Sequence, residues 1–402
     1  MTAWIAAPIG SVCSTYSGGT PSTANSEYYS GKIPWIASAE LNQGRITSTK
    51  RRISQLALER SSAKTVEPGT PLIALYGATA GVSAITSIGG AINQAVLAMV
   101  PRDVDAEFLY QWLRANRDEI IERYTQGGQP NLSGGIVRSI EIPLPSMSEQ
   151  RRVAHTLRDA DYLIESLNRL LVKKQAIKQG MMQQLLTGRT RLPGFTGAWE
   201  RLSVASRSVM KARIGWQGLK ADEYRASGTF RLVGGTEFVD GRIDWSKTSF
   251  VDKWRYDQDT YIQLHPGDVL LTKDGTIGKT AFVDSLPGPA TLNSGVFVIR
   301  PIQAAYEPTF LFWLLRSRVF EQFLARLSAG STISHLYQRD LVTLVLDVPP
   351  TVHEQKTIAG ALEDAEGEVA ALQERLAKAQ AIKTGMMQHL LTGRTRLPLE
   401  TE

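Results

Sequence analysis

The sequence predicts an α/β (α+β) fold made twice: two globular domains of similar fold joined by two long helices that pair with one another, with pseudo-twofold symmetry if they run antiparallel. Three observations predict it. QAIKQGMMQQLLTGRTRLP (residues 175–193) returns as QAIKTGMMQHLLTGRTRLP (residues 380–398) at a constant offset of 205 residues, and a repeat on this scale dictates the architecture around it. The segments leading into these stretches carry apolar residues at alternating steps of four and three, the heptad spacing of a coiled coil. The remaining segments hold short β-branched runs punctuated by Gly, Pro and Asn, which read as strands.

In chain order the expected parts are a first globular domain at residues 1–145, a helix within 146–190, a second globular domain at 191–350 and a second helix within 351–402. The globular parts repeat more weakly than the helices. GKIPWIASAELNQGRI (31–46) aligns with GTFRLVGGTEFVDGRI (228–243), EPGTPLIALYGATAG (67–81) with HPGDVLLTKDGTIG (265–278), and INQAVLAMVP (92–101) with LNSGVFVIRP (292–301). FLYQWLR (108–114) and FLFWLLR (310–316) each read as a helix start.

Each long helix opens on a capping box, Ser146-x-x-Glu149 and Thr351-x-x-Glu354, after Pro145 and Pro350. Such a box satisfies backbone donors that the first turn leaves without partners. Each helix stops at a glycine, Gly188 or Gly393, suited to a left-handed cap. Between these signals lie about 38 helical residues, or roughly 57 Å of rod. The seam reads Val153, Leu157, Ala160, Ile164, Leu167, Leu171, Met181 and Leu185 in the first copy; Ile358, Leu362, Ala365, Val369, Leu372, Leu376, Met386 and Leu390 answer it in the second.

Composition is that of a globular protein, 43% hydrophobic and 21% charged. No apolar run reaches the roughly 18–20 residues a spanning helix needs, so no membrane partner is expected. Cys13 is the single cysteine, which excludes an intrachain disulfide and suits a reducing cytoplasm. The net charge of +6 is compatible with a polyanionic partner.

Catalytic constellations do not emerge. The histidines are scattered, with no HExxH and no Cys/His cluster, so no metal site is expected. GTIGKT (275–280) imitates a phosphate loop, but Lys273 stands where the first glycine belongs. A strand–turn–strand using both glycines is the better account. The sequence favours a binding protein over an enzyme.

Basic, amide and aromatic residues cluster in predicted loops. The first domain offers Asn42, Gln43, Arg45, Arg51, Arg52, Tyr76, Asn93, Gln94, Gln129 and Asn131. The second offers Arg213, Gln217, Lys220, Lys253, Arg255, Lys273, Lys279, Asn293, Tyr337, Gln338 and Arg339. Arginine and the amides can read base edges in two-point contacts, and lysine meets phosphate. The two domains differ most in these loops, as expected if each reads a different short sequence.

At Gly18-Gly-Thr-Pro-Ser22, Pro34-Trp-Ile36, Glu40-Leu41, Tyr76-Gly-Ala-Thr79, Asn93-Gln94 and both copies of GMMQ-x-LLTGRTRLP, the chain resembles the DNA-sequence specificity subunit of type I restriction–modification systems. The resemblance spans essentially the whole length; the second domain lacks a GGTPS run and has Arg231-Leu-Val233 where the first has Pro34-Trp-Ile36. It implies a non-catalytic subunit whose two target recognition domains each read one half of a bipartite site in double-stranded DNA. The two long helices would form an antiparallel coiled coil acting as a ruler for the spacer. Two modification subunits, carrying S-adenosylmethionine and adenine methylation, would dock around the helices. Two restriction subunits using ATP and Mg would complete the complex, with no cofactor in this chain. Two alternatives stay open: a protein-binding scaffold without DNA specificity, and the specificity subunit of a fused restriction–methylation enzyme.

The repeated stretch carries one further expectation. A coiled-coil seam needs only apolar character, yet GMMQ-x-LLTGRTRLP is shared at polar positions too. Met181, Met182, Gln183, Arg189 and Arg191, with Met386, Met387, Gln388, Arg394 and Arg396, are therefore expected to hold two copies of one partner.

Overall fold

The computed structural model describes residues 4–125, 131–214, 218–328 and 335–398. The chain divides into two compact units, Met1–Arg169 with Glu374–Glu402, and Leu170–Gln373. The cut falls inside both long helices, Met147–Leu185 and Val352–Leu390, 39 residues each. Each globular part therefore owns a stretch of both helices, where the sequence reading had set the helices apart as segments of their own.

The first unit holds a five-stranded sheet, in the order Cys13–Ser17, Val96–Pro101, Pro71–Ala74, Ser83–Thr86, Arg45–Ile46. A four-stranded sheet runs Arg51–Ile53, Ile33–Ile36, Gly90–Ile92, Lys64–Val66. PLIALY and VLAMV lack the alternation of a half-exposed strand, and the packing explains why. Leu72, Ala74, Val96 and Ala98 point into a core shared with Ile36, Leu41 and Ile92 of the neighbouring layer. Ile73, Leu75, Leu97 and Met99 point the other way, onto Phe108, Leu109 and Leu113 of the helix Ala106–Ala115 and onto Val153 and Leu157 of the long helix. A sheet covered on both faces needs apolar residues at every position.

The second unit repeats this plan. Its four-stranded sheet runs Ser208–Ala212, Val296–Pro301, Val269–Thr272, Thr280–Phe282, beside a three-stranded sheet Ser249–Val251, Phe230–Val233, Ala290–Leu292. Leu270, Val296 and Val298 face one core, while Val269, Leu271, Phe297 and Ile299 face the other with Phe310, Trp313, Ile358 and Leu362. GTIGKT is the antiparallel turn between Val269–Thr272 and Thr280–Phe282, with Gly275 and Gly278 at φ 68° and 85°.

Within each unit the helix stretches run antiparallel. Glu149 faces Arg396 and Asp161 faces Lys383 in the first; Lys174 faces Glu368 and Lys178 faces Glu366 in the second. The same ion cluster locks both pairs. Asp161 takes Lys383 from the other helix and Arg114 from the globular part at 3.0 Å. Glu366 takes Lys178 and, at 3.7 Å, Arg316. The helix starts also match: Ser146 Oγ and Thr351 Oγ1 accept from the amides of Glu149 and Glu354 at 3.3 and 3.2 Å. The ends close at Gly188 and Gly393, with φ 68° and 70°. A side chain there would meet Trp199 or Trp4, which packs within about 3.1 Å of the position a Cβ would take.

Candidate nucleic-acid interface

In the first unit five chain segments converge at one end of the two sheets. The backbone ties them: Asn93 N donates to Ile36 O at 3.1 Å, Leu75 N to Ala95 O at 2.8 Å, Leu132 N to Leu75 O at 2.6 Å and Gly19 N to Ile92 O at 3.2 Å. Gly18 makes this possible, because a Cβ there would lie 1.8 Å from the Ile92 carbonyl oxygen. Thr20 Oγ1 donates to Gln94 Oε1. Tyr76 and Asn131 face one another across an isolated antiparallel bridge. Tyr76, Asn93, Gln94 and Asn131 thus share one rim, with Tyr76, Gln94 and Asn131 exposed and Asn93 half-buried. Gln129 lies outside the described residues.

Arg51 and Arg52 stand apart on the strand Arg51–Ile53, both exposed. Arg51 lies 4.4 Å from the ring of Tyr29 and 5.3 Å from that of Trp35, a cation over two aromatic faces. Asn42, Gln43 and Arg45 form a third group. Gln43 is held locally, donating to Glu40 Oε2 at 3.0 Å and to Ser48 O at 3.1 Å, and Asn42 donates to Ala39 O at 3.2 Å. Arg45 pairs with Glu107 at 2.6 Å. The first unit's candidates form three groups, not one face.

The second unit rebuilds the rim with other side chains. Asn293 N donates to Val233 O at 2.8 Å, Lys273 N to Gly295 O at 2.9 Å and Leu336 N to Lys273 O at 2.8 Å. The bridge Asp274–His335 takes the place of Tyr76–Asn131. Lys273 Nζ reaches Asp274 at 3.1 Å, and His335 Nδ1 is in contact with the same carboxylate. Asn293 Nδ2 donates to Tyr224 Oη at 3.1 Å. Lys279 Nζ donates to Gly235 O at 3.2 Å. Tyr337 is exposed, with the His335 ring 4.3 Å and the Arg339 guanidinium 4.5 Å from its own ring. Gln338 opens the short helix Gln338–Leu341 beside them. Lys220 and Lys253 are exposed, Lys253 paired with Asp257 one turn on.

Two arginines expected at this surface are inside the protein. Arg213 is 2% exposed and donates to Leu292 O at 2.9 Å and Thr291 Oγ1 at 3.3 Å. Arg255 is 9% exposed and grips Glu223 with two bonds of 2.7 and 2.6 Å. Gln258 Oε1 accepts from both guanidinium groups, at 3.4 and 2.9 Å. Burial leads the causes that push the Arg213 guanidinium below its ordinary value, and the charge of Arg255 adds to it. Arg255, through Glu223, braces the loop that carries Tyr224, an exposed rim residue that loop composition alone does not single out. Gln217 lies outside the described residues.

The repeated stretch also divides differently from expectation. Met182 is in the second unit's core and Met181 packs on it; Met386 and Met387 pack on the first unit's core. Arg191 donates to Glu354 in two bonds of 2.6 Å, and Arg396 lies 3.6 Å from Glu149. Those arginines latch one helix's end to the capping-box glutamate of the other helix. Arg189, Arg394 and Gln388 are exposed and Gln183 is half-buried. So are Ile177 and Ile382, at 44% and 63%, a matching apolar pair that had not been singled out.

Other chemistry at these sites is spare. Among the described residues, no group of three His, Cys, Asp or Glu side chains is placed to hold a metal ion. Burial pushes the Cys13 thiol up to about 11, which keeps it protonated and inert. No helix among the described residues is long and apolar enough to cross a membrane.

Comparison with known proteins converges on one family. The pattern of the type I restriction modification DNA specificity domain matches residues 1–176 and 219–381. The specificity subunit of the type I restriction enzyme MjaVIII of Methanocaldococcus jannaschii is 25% identical over 315 residues, 73% of this chain and 71% of the relative. The EcoR124I/EcoR124II specificity subunit of Escherichia coli is 24% identical over 178 residues, 42% of this chain and 44% of the relative. Among solved structures, the S subunit of a type I system from M. genitalium shares the fold at a TM-score of 0.65, with 14% identity and 99% and 97% of the two chains covered. A chain from a study of type I complex assembly gives 0.55, with 18% identity and coverage of 98% and 99%. Matched in both of its halves by one family pattern, the chain belongs to the type I restriction–modification DNA specificity family.

Proposed function

We propose that this chain is the non-catalytic subunit that chooses where a type I restriction–modification complex acts on double-stranded DNA. Each unit's rim reads one half of a bipartite site, and the length of the helix pair sets the spacer. The observation that carries this reading is one backbone frame built twice with different side chains on it. Tyr76, Asn93, Gln94 and Asn131 stand at one rim; Lys273, Asp274, Asn293 and His335 stand at the other. Equal frames with unequal donors and acceptors suit two unequal half-sites.

The chain brings no cofactor; methylation with S-adenosylmethionine and ATP-driven cleavage belong to two modification and two restriction subunits that dock on it. The dock is the outward face of the repeated stretch: Ile177, Gly180, Gln184, Thr187 and Arg189 in one copy, Ile382, Gly385, His389, Thr392 and Arg394 in the other. Gly180 and Gly385 support it. Each stands mid-helix, nothing lies within 4 Å of where its Cβ would be, and a mid-helix glycine costs about 1 kcal/mol against alanine. Gly360 and Gly367 are open as well, but His155 and Tyr162 hold the matching positions in the first helix.

The test is methylation mapping in cells carrying this chain with its modification partner. Replacing Tyr76 and Gln94 by alanine is expected to relax or change one half-site and leave the other and the spacer intact. Methylation without sequence preference in cells carrying the unaltered chain and its partner refutes the reading; a change in both half-sites refutes independent units.

A further inference from the structure

The first unit contains a cleft of about 750 Å³ between its globular part and its own stretch of the first helix. Arg45, Arg114, Arg117 and Arg169 line it, against two acids, Asp161 and Glu165. One acid is already satisfied, since Asp161 takes both Arg114 and Lys383. Arg117 donates to the carbonyl of Ala80 at 3.5 Å, and no carboxylate among the described residues lies within ion-pair range of it. Arg169 is 73% exposed and only 3.8 Å at closest from Glu165, its neighbour one turn back. Arg45 pairs with Glu107 at 2.6 Å and is held between the rings of Tyr110 and Tyr162, at 5.9 and 5.6 Å, so the surplus rests on Arg117 and Arg169. The cleft is therefore a concave surface with a surplus of arginine, and such a surface focuses positive potential and presents forked donors to phosphate.

The repeat separates what the fold needs from what the cleft adds. Arg316, Glu366 and Lys178 keep the Arg114–Asp161–Lys383 cluster in the second unit. Arg242 also stands where Arg45 does, but Arg117 and Arg169 are not kept. Phe320 packs against Gly278 where Arg117 packs against Gly81, and the positions of Tyr162 and Arg169 in the second helix hold Gly367 and Glu374. A fold that forms without these side chains in one copy does not require them in the other.

The geometry points to this cleft as a seat for the phosphodiester backbone of duplex DNA, next to the half-site read by the first unit only. This rests on the DNA-reading function proposed above. It makes the two units unequal in grip as well as in sequence preference: the first supplies the larger share of sequence-independent affinity.

The test uses the full chain in complex with its modification partner and two fluorescent duplexes, one bearing the mapped site and one unrelated. In Arg117→Ala/Arg169→Ala the slope of log affinity against log salt is expected to become shallower by about one to two, since each phosphate contact contributes close to 0.9. Both duplexes lose affinity by a similar factor and the preferred site stays the same. Arg117→Lys/Arg169→Lys recovers most of the slope, because a lysine also meets phosphate. An unchanged slope in a variant that melts like the parent overturns the proposal, and so does a loss confined to the mapped site. Should the double variant melt early, Arg169→Ala alone decides the matter, as its side chain is mostly in solvent. A parent complex indifferent to DNA sequence refutes the underlying function instead.

Discussion

Asp161 accepts from Lys383, from Gln111 at 2.8 Å and from Arg114 at 3.0 Å, and its response to pH follows from those donors. Burial pushes its carboxyl up, but the bonds from Lys383 and Gln111 and the charge of Arg114 outweigh that and hold it below the usual carboxylate value. Lys383 moves down as well, because burial, with the charge of Arg114 beside it, outweighs the support of Asp161. The depressed carboxyl means the unfolded chain takes a proton first as pH falls. Its stabilisation is therefore complete above roughly pH 4 and lost as pH drops through the folded value. Asp161→Asn strands a buried lysine, so unfolding at pH 7 is expected to become easier by about 3 kcal/mol. Denaturant titrations from pH 7 to 3 should show parent and variant drawing together at the acid end. A constant gap would refute the role given to the carboxylate. Arg213 and Arg255 teach the complementary lesson. Nothing local marks an arginine as interior; what draws Arg213 in is the Leu292 carbonyl, 79 residues away in the chain.

At the scale of elements, the helices were the most legible part. Heptad spacing, capping residues and terminal glycines are local signals, and both helices start and stop where those signals stand. The expected seam was less complete. Val153 and Leu157 pack on the helix Ala106–Ala115 as well as on Leu390 of the second helix, and Ala154 and Ala359 join the cores unannounced. A heptad shows that a stripe is apolar, not what covers it. The methionines show the same limit: identity between copies does not mark exposure, and Met182 lies in one core while Met181, Met386 and Met387 pack partly buried against the cores. The exposed remainder carries the prediction for this scale. Gly180→Ala with Gly385→Ala is expected to raise the melting temperature of the chain by a few degrees. The same pair should weaken co-purification with the modification subunit. Unweakened binding would remove these glycines from the proposed dock.

The doubling of the fold could be read from the repeat, because a constant offset carries every local signal into a second copy. The assignment of helix halves could not, since it depends on contacts between residues some 200 positions apart. That assignment has a consequence during synthesis. Leu170–Gln373 is one unbroken piece of chain, whereas Met1–Arg169 lacks its closing stretch until Glu374 and beyond have been made. At about 5–20 residues per second, the first unit waits roughly 10–40 s after residue 169 has been added. Meanwhile Val153, Leu157 and Phe108 stand without Leu390 and Leu391 over them. The second-made unit is thus the first able to finish folding on the ribosome, and the first-made one is the natural client of a holding chaperone. Pulse proteolysis of ribosome-bound chains arrested past residue 373, at lengths that free that residue from the exit tunnel, should find the second unit resistant and the first still cut. Protection of residues 4–145 at that length would mean the globular part closes without its helix pair.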